Sequence, residues 1–267
     1  MTDLRRRIKY SFYRRKGFVR VQMGGSPILL STGPNTKQVL WLRRRLRRDN
    51  FEPHVIQALL ENVREGQTCF EIGSWIGPYS ILLSRLVGET GNLYLFEPDP
   101  VARMACTHNL SLNRCENAFL FPLALSDSNG GQLLYSDHFG NSVSSLVPGS
   151  AAESRALQSV RVLTCTLDSF VEATGSPPDL VKIDVEGAED KVIEGGQRAL
   201  SKKGVKIIME VHGKFLRQRG VDPGSIIARL RSLNKRVWML GASPKELTDD
   251  NSQGFTDLPR FHILASD

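Results

Sequence analysis

The stretch Glu71-Ile72-Gly73-Ser74-Trp75-Ile76-Gly77-Pro78 links a buried type of strand over residues 68–72 to a helix over residues 78–86. Gly73 and Gly77 allow the backbone to turn tightly and to approach a ligand closely. The helix that follows presents free N–H groups and the positive end of its dipole at the same place. The stretch therefore predicts a ligand-binding turn between a strand and a helix of an α/β domain.

An acidic residue follows this turn at the distance expected of a nucleoside site. Glu97 and Pro98 come directly after the next predicted strand, residues 92–96, and Glu97 lies twenty residues after Gly77. A carboxylate at the end of a second strand is well placed to accept hydrogen bonds from both hydroxyls of a ribose. The cofactor-binding residues predicted from these two segments are Glu71, Gly73, Ser74, Gly77, Glu97 and Pro98.

The turn lacks the glycine pattern of dinucleotide-binding domains, which is G-x-G-x-x-G. If Gly73 is the first glycine of that pattern, Trp75 stands where a pyrophosphate needs bare backbone. If Gly73 is the second glycine, Glu71 stands at the first position. The carboxylate of Glu71 would repel a pyrophosphate and attract a cationic group, such as the amino group of S-adenosylmethionine. This favours S-adenosylmethionine as the cofactor, with a nicotinamide-dependent oxidoreductase on the same architecture as the alternative.

Strand-like and helix-like segments alternate along the rest of the chain. Strands are predicted over residues 68–72, 92–96, 118–125, 130–136, 160–167, 180–183, 205–211, 237–240 and 261–264. Helices are predicted over residues 36–48, 53–64, 78–86, 100–112, 188–200 and 224–233. Alternation on this scale predicts an α/β fold with a Rossmann-like, mostly parallel sheet and helices on both faces. Ligands of such sheets bind at the carboxyl ends of the strands.

The strand over residues 180–183 ends in charged residues that are candidates for catalysis. Asp184 follows the strand, Lys182 alternates with it on the same side, and Glu186 lies in the turn that comes next. We expect Asp184 to face the acceptor of the reaction and Glu186 to support it. The alternative for Glu186 is structural, because a helix dipole favours acidic residues near the helix start.

The next central strand ends in Glu210 and His212, which share one face of the strand. A histidine titrates near neutral pH and can take a proton from a hydroxyl group. His212 is therefore the predicted general base, and Glu210 a supporting carboxylate. Asp184, Glu210 and His212 would alternatively bind Mg²⁺ or another divalent ion that lowers the pKa of an acceptor hydroxyl. Two carboxylates and one imidazole are not diagnostic of a metal, so metal dependence is left open.

Three segments resemble the FkbM family of class I S-adenosylmethionine-dependent methyltransferases. They are Phe70–Gly77, then Leu95–Pro98 with Asn109 and Asn113, and finally Val181–Glu189 with Val192 and Gly195. The third segment is the most specific, and the resemblance covers roughly residues 51–212. It implies a class I methyltransferase sheet, mostly parallel with a late antiparallel strand. It also implies methyl transfer, usually to the oxygen of a sugar, a polyketide or another natural-product hydroxyl.

The segment Ala124-Leu125-Ser126-Asp127 also resembles the family, so Ser126 and Asp127 join the predicted cofactor residues. Asp127 would accept the adenine amino group, or else simply form an Asp-Ser-Asn-Gly turn. Two positions depart from the family pattern. Glu71 stands where an aspartate is usual, and Ser74-Trp75 stands where Ala-Asn is usual, although the cation-accepting carboxylate is retained.

The composition excludes several classes of protein. The chain has 267 residues, 40% of them hydrophobic and 24% charged, which is typical of a folded globular domain. It contains no apolar run of membrane-spanning length, and its first residues lead into no apolar core of a signal peptide. The four cysteines form no C-x-x-C pair, so we expect free thiols and a cytoplasmic location.

Positive charge is concentrated at the beginning of the chain. Residues 1–50 contain 14 lysines and arginines against two acidic residues, about +12, whereas residues 51–267 carry about −5. We predict that residues 1–50 form a basic extension made of a hairpin and a helix, and that residues 51–267 form the methyltransferase domain. The extension would serve as a lid, or bind an anionic surface or acidic ligand, beside a small-molecule acceptor in the domain. A non-catalytic Rossmann-like module that binds through this arm is a second alternative, and a homo-oligomer is left open.

Overall fold

The structure is a computed structural model that describes residues 17–33, 36–48, 51–136, 144–147, 158–248 and 253–267. Its strands, in chain order, are β1 (Phe18–Met23), β2 (Ser26–Ser31), β3 (Thr68–Ile72), β4 (Asn92–Phe96), β5 (Ala118–Phe121), β6 (Leu123–Leu125), β7 (Gly130–Ser136), β8 (Ser144–Ser145), β9 (Gln158–Cys165), β10 (Leu180–Ile183), β11 (Lys206–Val211), β12 (Arg236–Met239), β13 (Lys245–Glu246) and β14 (Phe261–Ser266). Its helices are α1 (Thr36–Leu46), α2 (Pro53–Asn62), α3 (Pro78–Val87), α4 (Pro100–Leu112), α5 (Leu167–Thr174), α6 (Glu189–Gly195), α7 (Gln197–Leu200), α8 (Gly213–Gln218), α9 (Gly224–Ser232) and α10 (Gln253–Thr256).

Eight strands form the central sheet, in the order β13-β12-β14-β11-β10-β3-β4-β5. The five neighbours from β11 to β5 are parallel, and β14 lies antiparallel between β11 and β12. The predicted mostly parallel sheet with a late antiparallel strand is confirmed. The chain builds the sheet outward from β3 to β5 and then returns to the other side of β3 with β10. Ligands of open α/β sheets bind at such a reversal of strand order.

Both faces of the central sheet are covered, as the near-continuous apolar strands predict. Successive residues of β3 enter different cores because side chains alternate along a strand. Cys69 packs in a core that includes α2, α3 and the hairpin β1-β2, whereas Phe70 packs in a core that includes α5, α6 and α9. The predicted arrangement of helices on both faces is therefore confirmed.

The further strands predicted over residues 130–136 and 160–167 belong to a second sheet. It contains four strands in the order β6-β9-β7-β8. The prediction of a single strand over residues 118–125 is wrong. The segment divides around Pro122 into β5 and β6, which belong to different sheets. The strand predicted to reach Leu167 is also too long. Thr166 accepts a hydrogen bond from the Ser169 N–H at 3.0 Å and caps α5 instead.

The hairpin β1-β2 forms where the sequence predicts one. Its turn, Gly24-Gly25, has positive φ angles at both residues, which matches the two-residue turns that suit the twist of a hairpin. The buried residues Val19, Val21 and Leu30 share a core with α3. The division of the chain at residue 50 stays a prediction, and residues 1–16, with the first basic cluster, lie outside the described residues.

Asn109 of α4 and Asn113, the residue that caps the end of α4, fasten the hairpin to the sheet layer. Asn113 accepts a hydrogen bond from the Leu29 N–H at 2.9 Å and donates one to the Leu29 carbonyl at 2.7 Å. Asn109 accepts from the Ser31 N–H at 2.7 Å and donates to the carbonyl of Ile76 at 2.7 Å. Asn109 therefore joins the hairpin directly to the glycine-containing turn.

Among the described residues, no helix combines the length and the apolarity that crossing a membrane requires. The four cysteines carry free thiols.

Candidate active site

A cavity lies at the carboxyl edge of the central sheet, where β3, β4, β10 and β11 end. One half is lined by residues of the turn after β3, by the end of β4 and by apolar residues around β6. These are Glu71, Gly73, Ser74, Trp75, Phe96, Glu97, Pro98, Ala102, Leu123, Ala124 and Leu125. The other half is lined by aromatic and charged residues, namely Trp41, Phe51, Glu52, Tyr79, Lys182, Asp184, Glu186, Glu210 and Arg260. The cavity thus joins a cofactor type of pocket to a second pocket suited to a polar acceptor.

Gly73 lies where the ends of three strands meet. Its N–H donates to the Phe96 carbonyl at 2.9 Å, and its φ of 87° falls in the left-handed region. A Cβ at this position would lie 1.9 Å from the carbonyl oxygen of Asp184. Only glycine fits here, which keeps the backbone bare beside the cavity.

Gly77 supports the turn from outside the cavity lining. It precedes α3 with a φ of 84°, and its N–H donates to the Ser74 carbonyl at 2.8 Å. Gly77 therefore shapes the turn, whereas Ser74 and Pro78 reach the cavity.

Glu97 receives backbone hydrogen bonds at both of its carboxylate oxygens. The Trp75 N–H donates to Oε2 at 2.7 Å, and the Asp99 N–H donates to Oε1 at 2.9 Å. Burial raises the pKa of Glu97 to about 8, although these two donors offset part of the effect. Each carboxylate oxygen keeps a further lone pair, so the side chain fits hydroxyl donors that arrive from the cavity.

Glu71 is a buried carboxylate beside the turn. Ser80 Oγ donates to its Oε2 at 2.6 Å, and Lys182 Nζ lies 3.9 Å from its Oε1. Burial raises the pKa of Glu71 to about 7, and Lys182 and Ser80 oppose that rise. Lys182 Nζ also lies 3.3 Å from Asp184 Oδ2 and 4.6 Å from the centre of the Tyr79 ring.

His212, the predicted general base, lies outside the set of residues that line the cavity. The side chain is buried. Its Nδ1 lies 2.8 Å from Glu189 Oε1, and its Nε2 lies 3.3 Å from Glu186 Oε2. Burial alone would lower the pKa of His212, but Glu186 and Glu189 outweigh burial and hold it well above its usual value. The geometry is that of an imidazolium held between two carboxylates.

Asp184, Glu186 and Glu210 lie close together around His212, and their catalytic roles stay predictions. His212 Nε2 lies 3.9 Å from Asp184 Oδ1 and 3.8 Å from Glu210 Oε1. Arg260 Nη1 lies 3.2 Å from Glu210 Oε1. Burial would raise the pKa of Glu210, but His262 and His212 outweigh it and lower the value to about 2. Glu210 is therefore ionised.

Five residues of this region were not predicted from the sequence. Tyr79 donates from its hydroxyl to Glu52 Oε2 at 2.7 Å, and His262 lies opposite Glu210 in the antiparallel pair of β14 and β11. Trp41 and Arg260 reach the cavity from opposite ends of the chain. These five, Trp41, Glu52, Tyr79, Arg260 and His262, belong to no local motif, so no sequence pattern could have found them.

Backbone strain is concentrated around the cavity. Among the described residues, five non-glycine residues have a positive φ, and three of them line the cavity. These three are Glu52 at 45°, Trp75 at 49° and Glu186 at 52°. Such conformations cost on the order of 1–3 kcal/mol each and are typical of functional sites. Asparagine, which the resemblance to the FkbM family implies at the position of Trp75, tolerates this left-handed backbone more readily.

Ser126 and Asp127 lie beside the cavity but are not among the residues that line it. Ser126 is buried and donates to Asp127 Oδ1 at 3.1 Å. Lys191 Nζ lies 3.1 Å from Asp127 Oδ2. Their predicted cofactor contacts stay predictions.

The Ser/Gly-rich segment over residues 137–153, which the sequence predicts as a loop that helps to cover the site, is partly described. Ser144, Ser145 and Leu146 line the cavity, and Ser144 Oγ donates to Asp99 Oδ2 at 2.9 Å. Residues 137–143, including Asp137, His138 and Phe139, lie outside the described residues.

The sheet order, and a cavity that holds Glu71 and Glu97 beside the turn at Gly73, are typical of α/β proteins that bind a nucleoside cofactor. A family model described as the methyltransferase FkbM domain matches residues 18–237. The chain belongs to the FkbM methyltransferase family, which confirms the family predicted from the three sequence segments. The match also takes in the hairpin and α1, beyond the range over which the resemblance was recognised.

Two characterised relatives are methyltransferases. Hexuronic acid methyltransferase AglP of Haloferax volcanii is 29% identical over 189 residues, which is 70% of each chain. 2-O-methyltransferase NoeI of Sinorhizobium fredii is 33% identical over 123 residues, which is 41% of this chain and 49% of that protein. Among solved structures, methyltransferase FkbM from Methylobacillus flagellatus KT has a TM-score of 0.48 at 13% identity, covering 86% of this chain and 58% of that one.

Proposed function

We propose that this protein is an S-adenosylmethionine-dependent O-methyltransferase that acts on a hydroxyl of a sugar-type acceptor. The observation that carries the proposal is that one cavity joins the glycine turn and Glu97 to a second pocket around Asp184. Family membership supports methyl transfer, and the two relatives are named for a hexuronic acid and for a 2-O position.

The residues of the first half fit S-adenosylmethionine. Glu97 keeps lone pairs for the two ribose hydroxyls, and Gly73 leaves the room that a side chain would fill. Glu71 offers a carboxylate to the amino group of the cofactor, and Leu123, Ala124 and Leu125 supply apolar surface for the adenine. When bound, the cofactor supplies a methyl group that its sulfonium has already activated.

The second half fits the polar and apolar faces of a sugar. Trp41 is 48% exposed at the cavity, an unusual exposure for so large an apolar ring. Its ring meets Phe51 edge to face, and Phe51 stacks on Tyr79, so the three rings form one wall. Arg260, whose side chain is 55% exposed, offers a cation to an acceptor that carries a carboxylate, as a hexuronic acid does.

Asp184 is the residue that we assign to the acceptor hydroxyl. It lines the cavity between the two halves, and its side chain is 25% exposed. Lys182 and His212 flank it with positive charge, which orients the carboxylate toward the cavity. Asp184 would hold the hydroxyl in line and accept its proton. The methyl group would pass from the sulfonium of the cofactor to the hydroxyl oxygen, so that the S–CH3 bond breaks and the sulfur leaves as a thioether. His212 positions Asp184 and Glu186, so its predicted role as the general base passes to Asp184.

The basic extension supports a further proposal about partners. Arg45 lies over the ring of Trp41, with its Cζ 5.4 Å from the ring centre, so the basic helix α1 adjoins the cavity. We assign this helix to the capture of an acidic acceptor or of an anionic surface that carries one. Binding through it should weaken steeply as salt rises.

Calorimetric titration with S-adenosylhomocysteine, with NADH as the parallel control, tests the cofactor. We expect saturable binding of S-adenosylhomocysteine and none of NADH. Methyl transfer from labelled S-adenosylmethionine to glucuronic and galacturonic acid glycosides then tests the acceptor. The Asp184→Asn variant should bind S-adenosylhomocysteine normally and lose at least 100-fold in turnover.

Two outcomes would contradict the proposal. Binding of NADH alone would favour the oxidoreductase alternative. The second outcome is that neither ligand binds, while the protein binds anionic vesicles in a salt-sensitive way that deletion of residues 1–48 abolishes. That result would favour the non-catalytic module.

A further inference from the structure

We propose that Glu52, Glu210 and His262 form a binding site for one divalent transition-metal ion at the floor of the second half of the cavity. One ligand atom from each of the three residues lies within 4.8 Å of the other two. His262 is the cross-strand neighbour of Glu210 in the pairing of β14 with β11, and Glu52 immediately precedes α2. Three separate segments of the chain therefore converge on one point.

The imidazole of His262 carries the inference, because one of its nitrogen atoms is buried and makes no hydrogen bond. Nε2 lies 3.5 Å from Glu210 Oε2 and 3.8 Å from Glu52 Oε2, and it has no hydrogen-bond partner among the described residues. The side chain is only 10% exposed, so bulk water does not satisfy it. A buried polar atom without a partner is costly, and a cation shared with the two carboxylate oxygens removes that cost.

The surroundings hold these ligands in the way that metal ligands are held. His262 Nδ1 is 2.9 Å from His54 Nε2, which fixes the ring and leaves Nε2 toward the carboxylates. The Tyr79 hydroxyl donates to Glu52 Oε2 at 2.7 Å. Outer contacts of this kind orient the ligands of protein metal sites. Arg260 lies near Glu210 Oε1, the other oxygen of that carboxylate, and so leaves Oε2 free to face His262.

The neighbouring group Asp184, Glu210 and His212 satisfies the same distance condition. There, however, both nitrogens of His212 already face carboxylates, Glu189 at 2.8 Å and Glu186 at 3.3 Å. The ion pairs of His212 with these two carboxylates account for its burial. The metal set that the sequence left open as an alternative is therefore the less favourable of the two, and we assign the site to His262 with Glu52 and Glu210 instead.

The ligand set indicates the class of ion. Calcium and magnesium prefer sites made entirely of oxygen, whereas imidazole suits zinc, copper, iron and nickel, and carboxylates also suit manganese. Neighbouring ligand atoms around such an ion lie about 3.0–3.5 Å apart. The observed spacings of 3.5 and 3.8 Å are close to this range, so a small inward movement of Glu52 completes the site. Because Glu52 and Glu210 also line the cavity, a bound ion would border the acceptor.

Titration of the metal-stripped protein with Mn²⁺, without cofactor or acceptor, tests the site. The free Mn²⁺ signal is followed by electron paramagnetic resonance, and the heat by calorimetry. We expect one Mn²⁺ per chain, and a loss of at least tenfold in affinity in Glu52→Gln and in His262→Gln. Glu61→Gln on the exposed side of α2 and His108→Gln on the surface of α4 are matched controls that should bind as the wild type does.

If His262→Gln fails to fold, Glu52→Gln alone tests the site, because the side-chain carbonyl of glutamine still accepts the hydrogen bond from the Tyr79 hydroxyl. No Mn²⁺ binding by the wild type, or unchanged binding by Glu52→Gln, would overturn the site. Loss of binding in Asp184→Asn with retention in Glu52→Gln would place the ion in the neighbouring group, which also overturns it. Titration of the same samples with S-adenosylhomocysteine separates this result from the proposed function. If the protein binds S-adenosylhomocysteine but no Mn²⁺, the metal site is refuted and the proposed function is not.

Discussion

Lys182 and Glu71 lie directly opposite each other in the parallel pair of β10 and β3, with Nζ 3.9 Å from Oε1. Both side chains are buried at the cavity. Lys182 also lies 3.3 Å from Asp184. One ammonium group thus stands between the carboxylate assigned to the cofactor and the carboxylate assigned to the acceptor. The charge balance of the two halves of the cavity is therefore coupled through Lys182.

The burial of Glu71 makes the stability of the ligand-free protein depend on pH. Its pKa of about 7 exceeds its usual value near 4.5, so the folded state retains a proton that the unfolded state has lost. The stabilisation is fully present below pH 4.5 and is lost as pH rises through 7, a change on the order of 3 kcal/mol. Glu71→Gln removes this dependence. In urea unfolding at pH 5, 6, 7 and 8, the free energy of unfolding of the variant relative to that of the wild type should increase as pH rises. A difference that stays the same across this pH range would contradict the assignment.

Replacement of Glu97 should weaken the cofactor site specifically. Glu97→Ala removes the carboxylate that we assign to the ribose hydroxyls and leaves two backbone N–H groups without their partner. We expect S-adenosylhomocysteine to bind more weakly by on the order of 1.5–3 kcal/mol, measured by calorimetry. Glu116→Ala, at an exposed position after α4, is the control and should leave affinity unchanged. Equal affinity of Glu97→Ala and the wild type would rule out the ribose role.

Gly73→Ala tests whether close approach, rather than φ alone, requires a glycine after β3. The new Cβ would lie 1.9 Å from the Asp184 carbonyl. Gly204→Ala is a matched control, because Gly204 has a similar φ of 88° and no atom within 4 Å of the built Cβ. The control should lose about 1 kcal/mol of stability, and Gly73→Ala several kcal/mol together with cofactor binding. Similar melting temperatures for the two variants would show that the turn can relax around the clash.

Asn113→Ala should loosen the hairpin while leaving the central sheet intact. The variant loses two hydrogen bonds to Leu29, worth about 1–3 kcal/mol in total. Hydrogen exchange of residues 26–31 should accelerate, and that of β3 should not. Asn62→Ala, which loses a single bond to the Ala58 carbonyl within α2, should leave the hairpin unchanged. Unaltered exchange in Asn113→Ala would mean that apolar packing alone holds β2.

The parts of the fold that the sequence predicted well are those with local causes. A buried strand, a glycine turn and an acidic residue at the next strand end occur in order, so Glu71, Gly73 and Glu97 could be placed together. The division at Pro122 was missed because periodicity reports that a segment is a strand but not which sheet it joins. His212 was expected at the cavity because strand position alone does not reveal Glu186 and Glu189 closing around the ring. Glu52 and His262 meet only through tertiary packing, which no local pattern encodes.

The hairpin is attached to α4 through its backbone, which leaves its outward-facing side chains little constrained. Asn113 and Asn109 bind the backbone atoms of Leu29 and Ser31, so any residue except proline satisfies those contacts equally. Asn109 at the same time holds the carbonyl of Ile76 in the glycine turn. Over evolutionary time the outward face of this hairpin is therefore free to diverge, and to acquire new binding preferences, without any compensating change in the turn.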